Sequence, residues 1–134
     1  MTINDTLHRL LLDNLTTAIL LLDARLHLQY MNPAAEMLLA ASGQRFQGQM
    51  VSELFSESAE ALDALQHSVR TAQPFTKREA VLSTQSTQQL TVDYAVTPLL
   101  SRSTTYLLLE ILPRDRLLRI TKEEAQLSKQ ETTK

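Results

Sequence analysis

Hydrophobic residues change their spacing several times along this chain, and each change marks a boundary between elements. Leu7, Leu10, Leu11 and Leu15 recur every three or four positions, with His8, Arg9 and Asp13 elsewhere around the wheel. That spacing predicts a short amphipathic N-terminal helix, which Asn4 or Asp5 can cap. From Thr17 to Leu22 the chain is apolar and partly β-branched, Asp23-Ala24-Arg25 reads as a turn, and Leu26, Leu28 and Tyr30 then alternate with His27, Gln29 and Met31. This is the pattern of a two-stranded hairpin. Asn32-Pro33 ends the two-residue period: Asn caps, Pro suits the first helical position, and Ala34, Ala35, Glu36, Met37, Leu38 and Leu39 are good helix formers.

Both glycines fall between Ser42 and Gly48, and Val51, Leu54 and Phe55 supply a brief apolar turn before a longer helix from about Ser58 to Ala72. On that helix Leu62, Leu65, Val69 and Ala72 share one face. Phe75 to Leu82 suits a strand and Ser83 to Gln88 a polar turn. Leu90, Val92, Tyr94 and Val96 then alternate with Thr91, Asp93, Ala95 and Thr97, which implies a sheet with one buried face. Ser101-Arg102-Ser103 turns the chain into a further apolar strand, Thr104 to Leu112, which Pro113 stops. Beyond it, Arg114 to Lys134 gains charge and loses aromatic residues, as an exposed helix does; Leu117, Ile120, Glu124 and Leu127 form a heptad seam interrupted by one acid.

Composition narrows the chemistry. A chain of 134 residues fits one domain able to bury roughly two thirds of its unfolded surface. With aromatics at 4% and no Trp, its core must be aliphatic. The absence of Cys excludes a disulfide framework, thiolate metal sites and a thiol nucleophile, and fits a reducing compartment. A formal net charge of −2 gives no general attraction to nucleic acid or anionic lipid. The acid at Asp5 and the lack of an apolar segment with a cleavage site argue against export, and the longest apolar runs fall far short of the roughly 20 residues that span a bilayer. The expected location is the cytoplasm.

The predicted order, helix, two strands, several short helices, three strands and an exit helix, resembles that of a PAS domain. The residues sharpen the likeness. Ile19-Leu20-Leu21-Leu22-Asp23, then Leu28-Gln29-Tyr30-Met31-Asn32-Pro33-Ala34-Ala35-Glu36, resembles the PAS signature in which the second strand runs into an Asn-started helix. Gly48 followed by Leu54-Phe55, and Thr97-Pro98-Leu99, look like further PAS landmarks. Glu110-Ile111-Leu112-Pro113-Arg114-Asp115 with the Gln/Glu/Lys-rich end is similar to the N-terminal sensory region of the NtrB family of nitrogen-regulation histidine kinases. The resemblance implies an α+β PAS fold: a five-stranded antiparallel sheet with short helices on one face, between an N-terminal amphipathic helix (1–16) and a C-terminal signalling helix (113–134), the PAS domain itself covering 17–112. It also implies a kinase core in the same chain, and for the whole kinase a PII signal protein and an NtrC-type response regulator as partners. The family's phosphoacceptor motif, His-Glu-x-x-Asn-Pro, has no match, since none of the three histidines precedes Glu. No enzymatic activity is expected of this piece.

Candidate sites follow from these readings. Leu7, Leu10, Leu11 and Leu15 are expected to form a homodimer contact, continued by Leu117, Ile120 and Leu127 in a parallel coiled coil. Asn32 is read as a helix cap and Asp23 as the carboxylate of an Asx-turn. Asp115 sits where many PAS domains carry an acid that pins the junction to the exit helix, although Asp115-Arg116-Leu117 departs from the usual Asp-(Ile/Val)-Thr. Tyr30 and Tyr94 are candidates to place hydroxyls toward an internal pocket. His67 invites comparison with haem-binding PAS domains, but it points about 180° from the apolar face of its helix. No cofactor or metal site is expected. The alternatives to a dimerising regulatory domain are a small-molecule receptor, marked by polar groups converging inside the fold, and a plain scaffold with a filled apolar interior.

Overall fold

The structure, a computed structural model, describes residues 3–86 and 88–114. In chain order it contains α1 (Ile3–Asp13), β1 (Ala18–Leu22), β2 (Leu28–Met31), α2 (Pro33–Leu39), α3 (Gly43–Phe46), α4 (Val51–Leu54), β3 (Phe55–Ser56), α5 (Ala59–Thr71), β4 (Phe75–Thr84), β5 (Gln89–Ser101) and β6 (Thr104–Pro113). The strands form one antiparallel sheet in the order β2-β1-β6-β5-β4-β3. The sheet is thus closed at its centre by pairing of the first strand with the last. It has one strand more than the hydrophobic pattern predicts. Two residues, Phe55 and Ser56, pair with Thr84 and Ser83, and a strand so short has no alternation to detect.

Alternation along β5 and β6 sorts residues between the two faces, while β1, paired on both sides, buries Ala18, Ile19 and Leu20 in succession. Leu20, Leu22, Val92, Val96, Leu107, Leu109 and Ile111 are buried on one side, where Ala35, Leu39, Phe46, Val51, Leu54 and Leu65 from the helices cover them. This is the aliphatic core that the composition requires. On α5, Leu65 is buried and Leu62 and Val69 half-buried, as the spacing predicts, while His67 is exposed. Ala72 belongs to the C-cap, with φ 55°, instead of the packed face. Ser68 is buried there and its hydroxyl donates to the Gln73 carbonyl at 2.6 Å, which satisfies it.

Two local readings change. Because α1 begins at Ile3, Asn4 and Asp5 lie within its first turn and neither is the cap. In β2 the register shifts: Leu22 pairs with Leu28 but Leu21 with Tyr30, so Gln29 is an extra residue. Such a bulge reverses the parity of the strand beyond it. Met31 therefore enters the core while Tyr30 turns to the opposite face of the sheet.

Candidate functional site

The helical layer does not fill the space over the sheet completely. Where α4 gives way to β3 and α5 begins, a cavity of about 130 Å³ lies between helix and sheet, walled by Val51, Phe55, Leu62, Leu65, Leu82 and Tyr94 among others. Ser52, Ser56, Glu57 and Ser58 line it as well, together with the Tyr94 ring, and Glu57 is its charged member. β3 fixes that residue's position by pairing with β4, and Ser58 follows immediately as N-cap of α5, so the Glu57 side chain is held at the edge of the sheet with only 6% exposed.

Burial of a carboxylate demands compensation. Tyr94 donates its hydroxyl to Glu57 Oε2 at 2.9 Å, and the Lys77 ammonium lies 2.7 Å from Oε1. The ion pair with Lys77 compensates the charge on Oε1, and the Tyr94 hydroxyl satisfies Oε2. Burial first, and then the hydrogen bond to Glu57 and its charge, push the Tyr94 hydroxyl well above the ordinary tyrosine value and keep it a donor. Phe75 meets the Tyr94 ring edge-on, with centroids 6.2 Å apart.

Of the two tyrosines singled out from sequence, only Tyr94 lines this cavity; Tyr30 does not. The bulge in β2 sends Tyr30 to the other face, where its hydroxyl donates to Asp13 at 2.6 Å and the Arg9 guanidinium sits 5.5 Å from its ring. Burial, followed by the bond to Asp13, raises its pKa as well. Tyr30 thus ties α1 to the sheet.

Asn32 does more than cap. Its Oδ1 accepts from Ala35 N at 3.0 Å, which starts α2, and also from Ile19 N at 2.9 Å; its Nδ2 donates to the carbonyls of Thr17 at 2.8 Å and Leu12 at 3.3 Å. The side chain is completely buried and joins α1, β1 and α2. Asp23 closes its turn through Oδ1, which accepts from the backbone N–H groups of Arg25 and His27, each at 2.9 Å. Leu7, Leu10 and Leu11 on α1 are between 51% and 57% exposed, and Leu15, expected on the same helix, lies past its end at Asp13 and is 43% exposed.

At the far end of the sheet the last described residue, Arg114, forks onto Asp93, with Nη1 3.3 and 3.4 Å from its two carboxylate oxygens, while Nη2 lies 3.7 Å from Glu79. Glu79 occupies a bulge in β4 with φ 56°, and its backbone N–H donates to Asp93 Oδ1 at 2.9 Å. That hydrogen bond, and then Arg114, hold the Asp93 carboxyl below its usual range. Asp115, Leu117, Ile120 and Leu127 lie outside the described residues.

Sequence reading misses Glu57, Lys77 and the Arg114 cluster. One signal was present. Lys77 follows Phe75 by two and pairs directly with Tyr94, so strand parity places a cation on the inward side of an apolar strand. Among the described residues no group of His, Asp and Glu could hold a metal ion, and no helix is long and apolar enough to cross a membrane.

Comparison with known proteins places these features in context. The PAS fold family profile matches residues 6–113. The sensory histidine kinase/phosphatase NtrB of Vibrio alginolyticus is 29% identical over 124 residues, covering 92% of this chain and 35% of the relative. That of Escherichia coli O157:H7 is 32% identical over 121 residues, covering 90% and 33%. This chain therefore spans about a third of the length of the curated relatives it matches. Among solved structures, the PAS domain of nitrogen regulation protein NR(II) from Vibrio parahaemolyticus superposes with a TM-score of 0.67 at 27% identity, covering 84% of this chain and 99% of that one.

Proposed function

Since the chain belongs to the PAS fold family, we propose that it is the regulatory and dimerising domain of a cytoplasmic sensor histidine kinase similar to NtrB. The matched region is a PAS domain and not a catalytic one. The kinase core would be supplied elsewhere in the parent protein, which would phosphorylate and dephosphorylate an NtrC-type response regulator under the control of a PII signal protein.

The observation that carries the dimerising role is the leucine stripe of α1. Polar contacts hold this helix to the domain, through Tyr30 on Asp13 and Asn32 on the Leu12 carbonyl, and leave Leu7, Leu10, Leu11 and Leu15 about half exposed. Leu7, Leu10 and Leu11 on one exposed helix face, with Leu15 just past its end, favour burial against a second copy, and a two-fold arrangement lets one stripe pack on its equivalent. Residues 1–16 would then serve as the dimerisation element, 17–112 as the PAS body and 113–134 as the connection to the kinase, with Leu117, Ile120 and Leu127 continuing the two-fold.

The proposed mechanism is mechanical. Two PAS bodies would set the relative angle or register of the paired exit segments and so bias a downstream core between kinase and phosphatase states. The contacts at the junction favour Arg114, gripped by Asp93 and Glu79, as a fastening point beside Asp115. Light scattering tests the dimer: the wild-type chain should have twice the monomer mass, and Leu11→Glu with Leu15→Glu should give folded monomers. A dimer of undiminished stability in the double variant would remove α1 as the interface.

A second reading, a PAS domain that senses a small molecule directly, is favoured by the cavity, whose apolar walls converge on the Glu57 and Tyr94 side chains.

A further inference from the structure

The bulge in β4 does more than bend the strand. Lys77 pairs with Tyr94 and Ala80 with Val92, so two residues, Arg78 and Glu79, stand opposite the single residue Asp93. Glu79 keeps a left-handed φ of 56° without being a glycine, and Asp93 supports it there: its Oδ1 accepts the Glu79 N–H at 2.9 Å. The same carboxylate receives the fork of Arg114. Arg78 has a different standing. It is exposed, lines with Asp93 a groove on the face of the sheet turned away from the helices, and makes no ion pair among the described residues. Its charge nevertheless reaches Asp93: after the Glu79 N–H and Arg114, it adds to the field that keeps this carboxyl below its usual range. Lys77, the other cation nearby, pairs inward with Tyr94 and is committed to Glu57.

Two acids, Asp93 and Glu79, thus face two guanidinium groups, of which only Arg114 is engaged. Movement of the chain where it leaves the sheet would change that balance. With Arg114 withdrawn and nothing in its place, Asp93 would lose its ionic partner and stand beside the like charge of Glu79. Arg78 needs no backbone movement to fill the place, because the bulge already sets it opposite Asp93 and its long side chain is exposed. We propose that Asp93 is an exchange site at which Arg78 replaces Arg114 when the chain moves away from the end of β6, so that Arg78 competes with the exit and eases its release. The regulatory meaning of this exchange rests on the reading that the domain steers a kinase through its exit; the exchange itself is a property of this chain alone.

¹⁵N relaxation of the arginine Nε–H groups in the labelled 134-residue chain tests the exchange. In the wild type Arg114 should be ordered and Arg78 mobile. Arg114→Ala should order Arg78 and shift its Nε–H resonance, and adding Asp93→Asn should return Arg78 to the mobile state. The three side chains all reach solvent, and unchanged amide positions of Leu28 and Leu65 verify that the variants stay folded. An Arg78 that stays mobile in Arg114→Ala, that is already ordered in the wild type, or that stays ordered without the Asp93 charge would overturn the exchange; in the last case Glu110, which lines the same groove, would be the acid it meets. The regulatory half is read separately, in a full-length sensor kinase carrying this domain. Arg78→Ala removes the competitor, so it should move the ratio of kinase to phosphatase activity in the direction opposite to Arg114→Ala, by about two- to fivefold, the range for an exposed ion pair. A shift in the same direction would overturn the competition. An unchanged ratio in both variants, with the exchange seen by NMR, would leave the exchange standing and overturn control through the exit.

Discussion

Asn32 shows how much one side chain can decide. Its amide makes four hydrogen bonds while fully buried, two accepted by Oδ1 and two donated by Nδ2. Asn32→Ala should lower the unfolding free energy by about 2–4 kcal/mol, since it removes a cap and strands buried backbone groups of Ile19 and Thr17. Asn32→Asp should be destabilising as well, despite its equal size, because a carboxylate cannot donate to the Thr17 and Leu12 carbonyls. Urea titration followed by circular dichroism measures both, and a change under 1 kcal/mol in either would mean that these bonds are replaced by water. The capping role was legible because Asn-Pro is a local helix signal. The other three bonds were not, since they join residues 13 to 20 positions apart that only the tertiary fold brings together. Asp93 carries a pH signature. Its carboxyl pKa is depressed in the fold, first by the Glu79 N–H and then by Arg114, so its contribution is present above the ordinary value of 3.8 and is lost as pH falls below it. Asp93→Asn should therefore flatten the fall in stability with acid below that pH, and an unchanged acid limb would show that the contact contributes nothing in solution.

At the scale of elements, what the sequence displayed was set by period. β1, β5, β6 and α5 were readable because each repeats its own spacing over enough residues to be counted, and the Asp23 turn because its carboxylate acts within four positions. β3 and the bulge at Gln29 were hidden for the opposite reason: one is two residues long and the other interrupts the very alternation that defines its strand. The turn between β5 and β6 places Arg102 at φ 50° and Ser103 at φ 65°, the left-handed pair of a two-residue hairpin turn, without a glycine. Replacing Arg102-Ser103 by Asn-Gly should stabilise the fold by about 1 kcal/mol and raise the melting temperature by roughly 3 °C. A melting temperature that falls would mean that the native side chains make compensating contacts at this turn.

Across the whole molecule, the contacts at the two ends of the sheet belong to different jobs. Near β2, Tyr30 and Asn32 secure α1 and leave Leu7, Leu10 and Leu11 exposed; near β4 and β5, Asp93 and Glu79 hold Arg114 where the chain leaves the sheet. Between them lies the cavity, lined by Glu57, whose carboxylate pairs with Lys77 outside the lining. The amphipathic spacing of Leu7, Leu10 and Leu11 was legible, but the Arg114 cluster was not, because Glu79 lies within β4, Asp93 within β5 and Arg114 just past β6, and they share no motif. If the domain steers a kinase through its exit, loosening that cluster must alter output without touching the core. The decisive measurement is the ratio of kinase to phosphatase activity in a full-length sensor kinase carrying this domain, with Arg114→Ala compared against wild type and against Asp93→Ala. Both variants should shift the ratio in the same direction and by a similar factor, the dimer remaining intact by light scattering. A ratio unchanged in both, with the protein folded and dimeric, would contradict control through the exit of the sheet.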